Sequence, residues 1–133
     1  MIAYLDVNCL IYFVEKNPLW WPRIVARIAT LRAVGGTLAV SDLSRAECLV
    51  GPYKSGNAAV LASYHAVFSD PEIQILPITP AACDRSARMR AATGLKLPDA
   101  LHLAIAIEFG CGLFLTNDLK LARCQDIPVE ILK

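Results

Sequence analysis

The chain has 133 residues, room for one domain and too few for two of ordinary size, so residues 1–133 read as a single domain. Hydrophobic residues make up 56% of it, which excludes a disordered chain and supplies a sizeable core. The formal net charge of +1 selects no class of partner, because a local basic patch is enough to bind nucleic acid.

Met1–Leu5 is a short apolar run that predicts a first strand, ended by Asp6. Asn8–Val14 continues as a short apolar helix. Trp20–Ala33 has helical periodicity and stops at Gly35-Gly36, a helix terminator followed by a turn. Thr37–Val40 predicts the second strand. Ser41 or Ser44 can cap the next helix, which carries Glu47 and is expected to end near Gly51-Pro52. Asn57–Phe68 predicts another helix, and Ile73–Leu76 a β-branched-rich strand ending at Pro77. Thr79 and Pro80 supply a cap and a first-turn proline for a helix that runs to Gly94. Pro98 opens the next helix and Gly110 closes it. Gly112–Thr116 predicts a buried strand, Leu119–Ala122 a short helix, and Val129–Leu132 a final strand. Strands separated by helical patterns imply βαβ units. The expected architecture is α/β: a three-layer α/β/α sandwich with a mostly parallel central sheet.

Asp6 interrupts the first apolar run, and His102 and Glu108 interrupt the one near residues 101–115, so no segment spans a bilayer. The start lacks a basic stretch followed by a cleavable apolar one. A cytoplasmic protein without a membrane partner is therefore expected. The five cysteines are odd in number and contain no Cys-x-x-Cys pair, which argues against a zinc site or a disulfide framework. Cys9, Cys48 and Cys83 sit in apolar contexts and read as small core residues.

Four carboxylates stand out because strongly apolar sequence flanks each of them: Asp6, Glu47, Asp99 and Asp118. Carboxylates set in such surroundings are costly unless something compensates them. In an open parallel sheet, sites form outside the carboxyl ends of the strands. Asp6 follows the first strand, Asp118 follows the fourth, Asp99 lies in the first turn of a helix, and Glu47 lies one or two turns into another. All four could converge on one edge of the sheet. Two charges about 5 Å apart at an effective dielectric of about 20 repel by roughly 3 kcal/mol, so a converged set needs a counter-charge. Oxygen ligands without paired His or Cys select Mg²⁺ or Mn²⁺ over zinc. Such ions activate water and clamp a phosphoryl displacement, which makes a phosphodiester a plausible substrate. Each acid also has a purely structural reading. Asp6 and Asp118 could cap helices, Asp99 could favour a helix N-terminus, and Glu47 could be an exposed helix residue.

Other residues carry weaker signals. Arg85, Arg88 and Arg90 crowd one helix with Lys96 just beyond, a pattern that also fits a solvated face. His102 follows Asp99 by one helical turn. It could act as a general base or pack against a neighbouring helix with one nitrogen satisfied. Trp20 and Trp21 are adjacent and cannot both face one core stripe. One of them could anchor a partner, and both could simply pack at the helix start.

Leu5-Asp6-Val7-Asn8-Cys9-Leu10-Ile11-Tyr12, Ser44-Arg45-Ala46-Glu47, Asp99-Ala100-Leu101-His102-Leu103-Ala104 and Leu115-Thr116-Asn117-Asp118 occur in this order over nearly the whole chain. Together they resemble the PIN-domain family, and within it the VapC-type toxins of toxin–antitoxin pairs. The resemblance implies a Mg²⁺- or Mn²⁺-dependent endoribonuclease. Its acidic metal-binding set would be Asp6, Glu47, Asp99 and Asp118, with Asn8 and Thr116 as polar residues lining the site. It also implies an RNA substrate, a homodimer, and a cognate antitoxin whose peptide covers the groove. Val7 departs from the pattern, since the family usually has Ser or Thr there.

Rival readings remain open. A haloacid-dehalogenase-like phosphatase needs a second Asp two residues after the first, where this chain has Asn8. A response-regulator receiver needs a central phospho-accepting Asp after its third strand, where this chain has Leu76-Pro77-Ile78. No glycine-rich phosphate loop is present. The alternative from another class is a non-catalytic PIN-fold module that binds RNA or protein.

Overall fold

The computed structural model describes residues 1–133. Five strands, β1 (Ile2–Leu5), β2 (Thr37–Ser41), β3 (Ile73–Leu76), β4 (Leu113–Thr116) and β5 (Val129–Ile131), form one sheet in the order β3-β2-β1-β4-β5. Every pairing is parallel, with Tyr4 opposite Ala39 on one side and Phe114 on the other. Parallel neighbours require crossovers, and the helices α1 (Val7–Glu15), α2 (Trp21–Ala33), α3 (Asp42–Cys48), α4 (Val50–Ser55), α5 (Ala58–Phe68), α6 (Pro80–Thr93) and α7 (Leu97–Glu108) supply them. The three-layer α/β/α expectation holds, with the sheet parallel throughout rather than mostly so. No helix is long and apolar enough to cross a membrane.

Alternation along the strands divides the interior into two cores. Ala3, Leu5, Leu38, Val40, Leu113 and Leu115 face one side, against Leu10 of α1, Ile24, Ile28 and Leu31 of α2, and Tyr64 and Phe68 of α5. Tyr4, Ala39 and Phe114 face the other, against Met89 of α6 and the densely buried Ala100–Ala106 stretch of α7. Tyr4 and Phe114 stack with centroids 5.2 Å apart. Each fully buried Leu, Ile or Phe contributes about 1.5–3 kcal/mol, so these two layers fix the sheet on which the acids sit.

The predicted boundaries hold to within a residue or two for most elements, and local chemistry explains why. Ser41 and Ser44 both act at the start of α3: Ser41 Oγ accepts from Ser44 N and Ser44 Oγ accepts from Ser41 N. Thr79 Oγ1 accepts from Ala82 N ahead of Pro80, and Gly94 closes α6 at φ +73°. The helix carrying Glu47 does not run to Gly51-Pro52. It stops at Cys48, and α4 begins at Val50. Pro52 has no N–H to donate to the Cys48 carbonyl, so the ladder breaks and the proline falls in a fresh first turn, where it is tolerated. The Leu119–Ala122 segment is a 3-10 helix over Leu119–Arg123. Cys9 and Cys48 are buried as expected, but Cys83 is exposed on α6, because its position turns away from the sheet while Ala82 and Ser86 face it.

Candidate active site

Chain direction sets the location. From β1 the chain moves outward to β2 and β3, then returns to place β4 on the opposite flank of β1. The crevice at the carboxyl ends of β1 and β4 is thus the topological switch point, where such sheets place their ligands. Asp6 follows the last residue of β1, and Asp118 lies two residues beyond β4. The Asp6 N–H donates to the Leu115 carbonyl at 2.9 Å, so the pairing of the two strands continues through the acid.

Asp6 is 7% exposed. Its Oδ1 accepts from Val7 N at 2.7 Å, and its Oδ2 accepts from the hydroxyl of Thr116 at 2.5 Å. Thr116, fully buried, also accepts from Asp118 N at 3.1 Å. One hydroxyl therefore ties the first acid of the chain to the last. Asp118 Oδ1 accepts from Lys120 N at 2.9 Å. Asp6 and Asp118 are both helix caps, as their structural reading held, and both stand at the switch point. Capping a helix leaves both carboxylates at that crevice.

Burial pushes the Asp6 carboxyl above the ordinary 3.8, against the opposing pull of the Thr116 hydroxyl and the Val7 N–H, and the Asp118 charge adds to the rise. Asp99, half-buried in the first turn of α7, is raised as well, first by burial and then by the charges of Asp6 and Asp118, with a further push from Glu47. These mutual effects show four acids sharing one electrostatic neighbourhood. Asp6, Asp99 and Asp118 form no ion pair with any Lys or Arg.

Glu47 is held differently. Its Oε1 lies 2.5 Å from Nε2 of His102, a residue 2% exposed on α7. The other ring nitrogen of His102 lies 2.6 Å from the Tyr4 hydroxyl, which is 2.7 Å from Ser41 Oγ. The chain Ser41–Tyr4–His102–Glu47 runs from the capping box of α3 through the core and back to the carboxylate on that same helix. His102 thus has both nitrogens engaged, where the sequence pattern predicts one. Residues 4, 41, 47 and 102 meet only in three dimensions, and no sequence spacing advertises the contact. The apolar run around His102 is the one signal the sequence offers, and it points to burial.

Asn8 is exposed at the rim, where its Nδ2 approaches Asn117 Oδ1 at 3.4 Å. Asn117, which sequence reasoning passes over, also donates to the Tyr12 hydroxyl at 2.7 Å and so buttresses the loop after β4 from α1. Val7 contributes its backbone N–H to Asp6. Trp20 is engaged within the chain: its ring stacks on Tyr12 at 5.4 Å, and Arg23 lies over it at 5.1 Å. Trp21 is half-buried beside Phe13, Val14 and Val67. The two indoles point to different neighbours, as their adjacency requires. Of the basic cluster on α6, Arg85 pairs with Glu108 at 2.7 Å and Arg90 reaches the Leu95 carbonyl.

The donor set is carboxylate oxygen, which suits a hard divalent cation. The three acids without a basic partner carry the charge that such an ion would neutralise. No three His, Cys, Asp or Glu side chains are drawn close enough together to cage an ion. The fit therefore lies in charge and donor chemistry rather than in a closed cage. Size alone does not mark the site: the largest hollow, about 690 Å³ between α2 and β5, is bridged by the Arg27–Glu130 pair and holds none of the four acids.

Among solved structures, the chain is similar to VapBC2 from Rickettsia felis bound to a promoter DNA fragment, with a TM-score of 0.82 at 22% identity over 100% of both chains. VapC20 from Mycobacterium tuberculosis, a sarcin–ricin loop-cleaving toxin, matches with a TM-score of 0.75 at 12% identity over 98% of this chain and 99% of that one. DNA-bound VapBC from Salmonella typhimurium matches with a TM-score of 0.73 at 18% identity over 98% of each chain. At these identities the likeness is one of fold. No curated protein sequence matches significantly. The PIN domain family model matches residues 3–126, from β1 past the last of the four acids. The chain belongs to the PIN domain family.

Proposed function

We propose that this protein is a metal-dependent endoribonuclease and the toxin of a VapBC-type toxin–antitoxin pair, acting in the cytoplasm. The observation that carries the reading is the group of carboxylates at the β1/β4 switch point, of which Asp6, Asp99 and Asp118 have no basic partner. The PIN family and the fold likeness to VapBC proteins support it.

Asp6, Asp99, Asp118 and Glu47 would hold Mg²⁺ or Mn²⁺. An ion held there would supply two things: easier deprotonation of a water to the nucleophile, and neutralisation of the charge that builds on the phosphate. The remaining work belongs to the chain. Thr116 and the Val7 N–H oppose the effect of burial on Asp6 and fix the direction of its oxygens. His102, anchored by Tyr4, holds one oxygen of Glu47 and leaves the other free. Asn8, exposed at the rim, would touch the substrate strand. His102 has no free nitrogen with which to take a proton from water, so the proton leaves through the carboxylates or to solvent.

An assay with a panel of tRNA and rRNA tests the activity: cleavage is expected with Mg²⁺ or Mn²⁺ and none in excess EDTA. Undiminished cleavage in chelator would overturn the metal mechanism. A small antitoxin encoded beside the gene is expected to co-purify with the protein and inhibit it, and light scattering is expected to give a homodimer. A neighbour that neither binds nor inhibits would remove the toxin assignment and leave the nuclease one. Exposed Trp20 or Trp21 surface would serve as the antitoxin's anchor, tested by loss of that complex in Trp21→Ala.

A further inference from the structure

We propose that the hollow beside the acids is a phosphate subsite in which Lys96 and Lys120 hold the RNA backbone phosphate next to the one being cut. This deepens the nuclease reading above and depends on it. The hollow measures about 310 Å³, the small end of the roughly 300–1,000 Å³ typical of ligand sites. Asp99 and Asp118 line one part of it, and Lys96, Lys120 and Arg123 stand among the other lining residues. The two lysines are exposed, and neither forms an ion pair, although two carboxylates share their walls. Arg123 is partly committed elsewhere, with Nη1 at 3.5 Å from the Thr93 carbonyl.

The backbone holding each lysine is ordered close to an acid. Lys120 donates its N–H to Asp118 Oδ1. Lys96 immediately precedes α7, three residues before Asp99, on a turn pinned by the buried Leu95. The Leu95 N–H donates to Thr93 Oγ1, and its carbonyl accepts from Arg90. The backbone positions that carry the cations thus lie at a fixed offset from the reacting centre. A single strand of RNA carries a phosphate on each side of the one held at the acids, so any bound strand brings one to such an offset. An acidic peptide has no such regular spacing of charge.

The test compares wild type with Lys96→Gln/Lys120→Gln by steady-state cleavage of a single-stranded RNA in Mg²⁺ across a range of KCl. Both side chains are exposed and unbonded, so the variant should melt with wild type. We expect KM to rise about tenfold with kcat within about twofold. The slope of log(kcat/KM) against log salt should become shallower by about 0.7, the contribution of one phosphate neutralised on a single strand. A variant that cleaves with unchanged KM and salt slope overturns the subsite while the nuclease reading stands. Unchanged KM with weakened inhibition by the antitoxin would assign the hollow to that protein instead and likewise overturn it. A wild-type protein that cuts no RNA removes the nuclease reading and the subsite together.

Discussion

Thr116→Val isolates the bond that joins the first acid to the last. Valine keeps the shape of the buried side chain and replaces the hydroxyl by a methyl. The substitution removes the donor to Asp6 Oδ2 and the acceptor for Asp118 N. Hydrogen bonds to charged groups contribute about 1.5–3 kcal/mol, and Asp6 is too buried for water to replace the donor freely. We expect a loss of about 2–3 kcal/mol near neutral pH. With about 2 cal/mol/K of unfolding entropy per residue, a chain of this length should melt roughly 7–11 °C lower. The effect has a pH signature. Burial already raises the Asp6 carboxyl, and the Thr116 hydroxyl opposes that rise, so removing it raises the carboxyl further. Above that value the variant holds an ionised carboxylate short of one donor; below it the carboxyl takes up a proton and the deficit shrinks. Melting curves of the metal-free protein at several pH values, with Thr116→Ser as the control that keeps the hydroxyl, give the measurement. Thr116→Val melting within about 2 °C of wild type would refute the reasoning. So would an equal drop at low and high pH, or Thr116→Ser falling as far as Thr116→Val.

Asp99→Asn is expected to abolish cleavage and to leave the metal-free protein as stable or up to about 1 kcal/mol more so, after allowance for solvent screening at a half-exposed site. It should also shrink the melting shift produced by Mn²⁺; normal cleavage would place Asp99 outside the site. Because the Asp6 and Asp99 carboxyls are raised, the metal-free fold binds protons more readily than the unfolded chain. Its stability should rise as pH falls through those folded values toward the ordinary 3.8, as urea melts would show. His102→Gln, which keeps an N–H for Glu47, should retain cleavage within about tenfold, whereas a general base would lose roughly 100-fold or more. Gly36→Ala should destabilise and Gly112→Ala should be mild. The new Cβ would meet the Leu31 carbonyl oxygen at 2.8 Å in the first case and only the flexible Met1 side chain at 2.6 Å in the second. Thermal melts distinguish them.

The sequence is legible wherever the governing interaction is local. Gly35-Gly36, Thr79-Pro80 and Gly94 end or start helices through the conformations of their own backbones, so the elements they bound are predicted nearly in register. The acids are legible because a carboxylate in apolar sequence is anomalous in itself. What escapes depends on contacts between distant residues, or on a missing group several residues away. The break at Leu49 comes from a proline three positions later whose absent N–H matters only to Cys48. The Glu47–His102 contact joins residues 55 apart, and the Thr116–Asp6 bond joins residues 110 apart. Cys83 is misplaced by sequence reasoning because apolar neighbours along the chain do not fix which side of α6 a residue takes.

The strand order also sets when the acidic centre can exist. Asp6 and Glu47 lie in the first half of the chain, but β1 gains its β4 neighbour, and with it Asp118, only near the end. A chain still emerging from the ribosome can pair β1 with β2 and β2 with β3 while the far flank of β1 stays bare. Until β4 arrives, Asp6 lacks its Thr116 donor, and its N–H lacks the Leu115 carbonyl. The nascent protein therefore carries half of its charge cluster through most of synthesis, and truncated products are chemically incomplete. Topology alone thus sets an interval during synthesis in which the acidic centre cannot yet form.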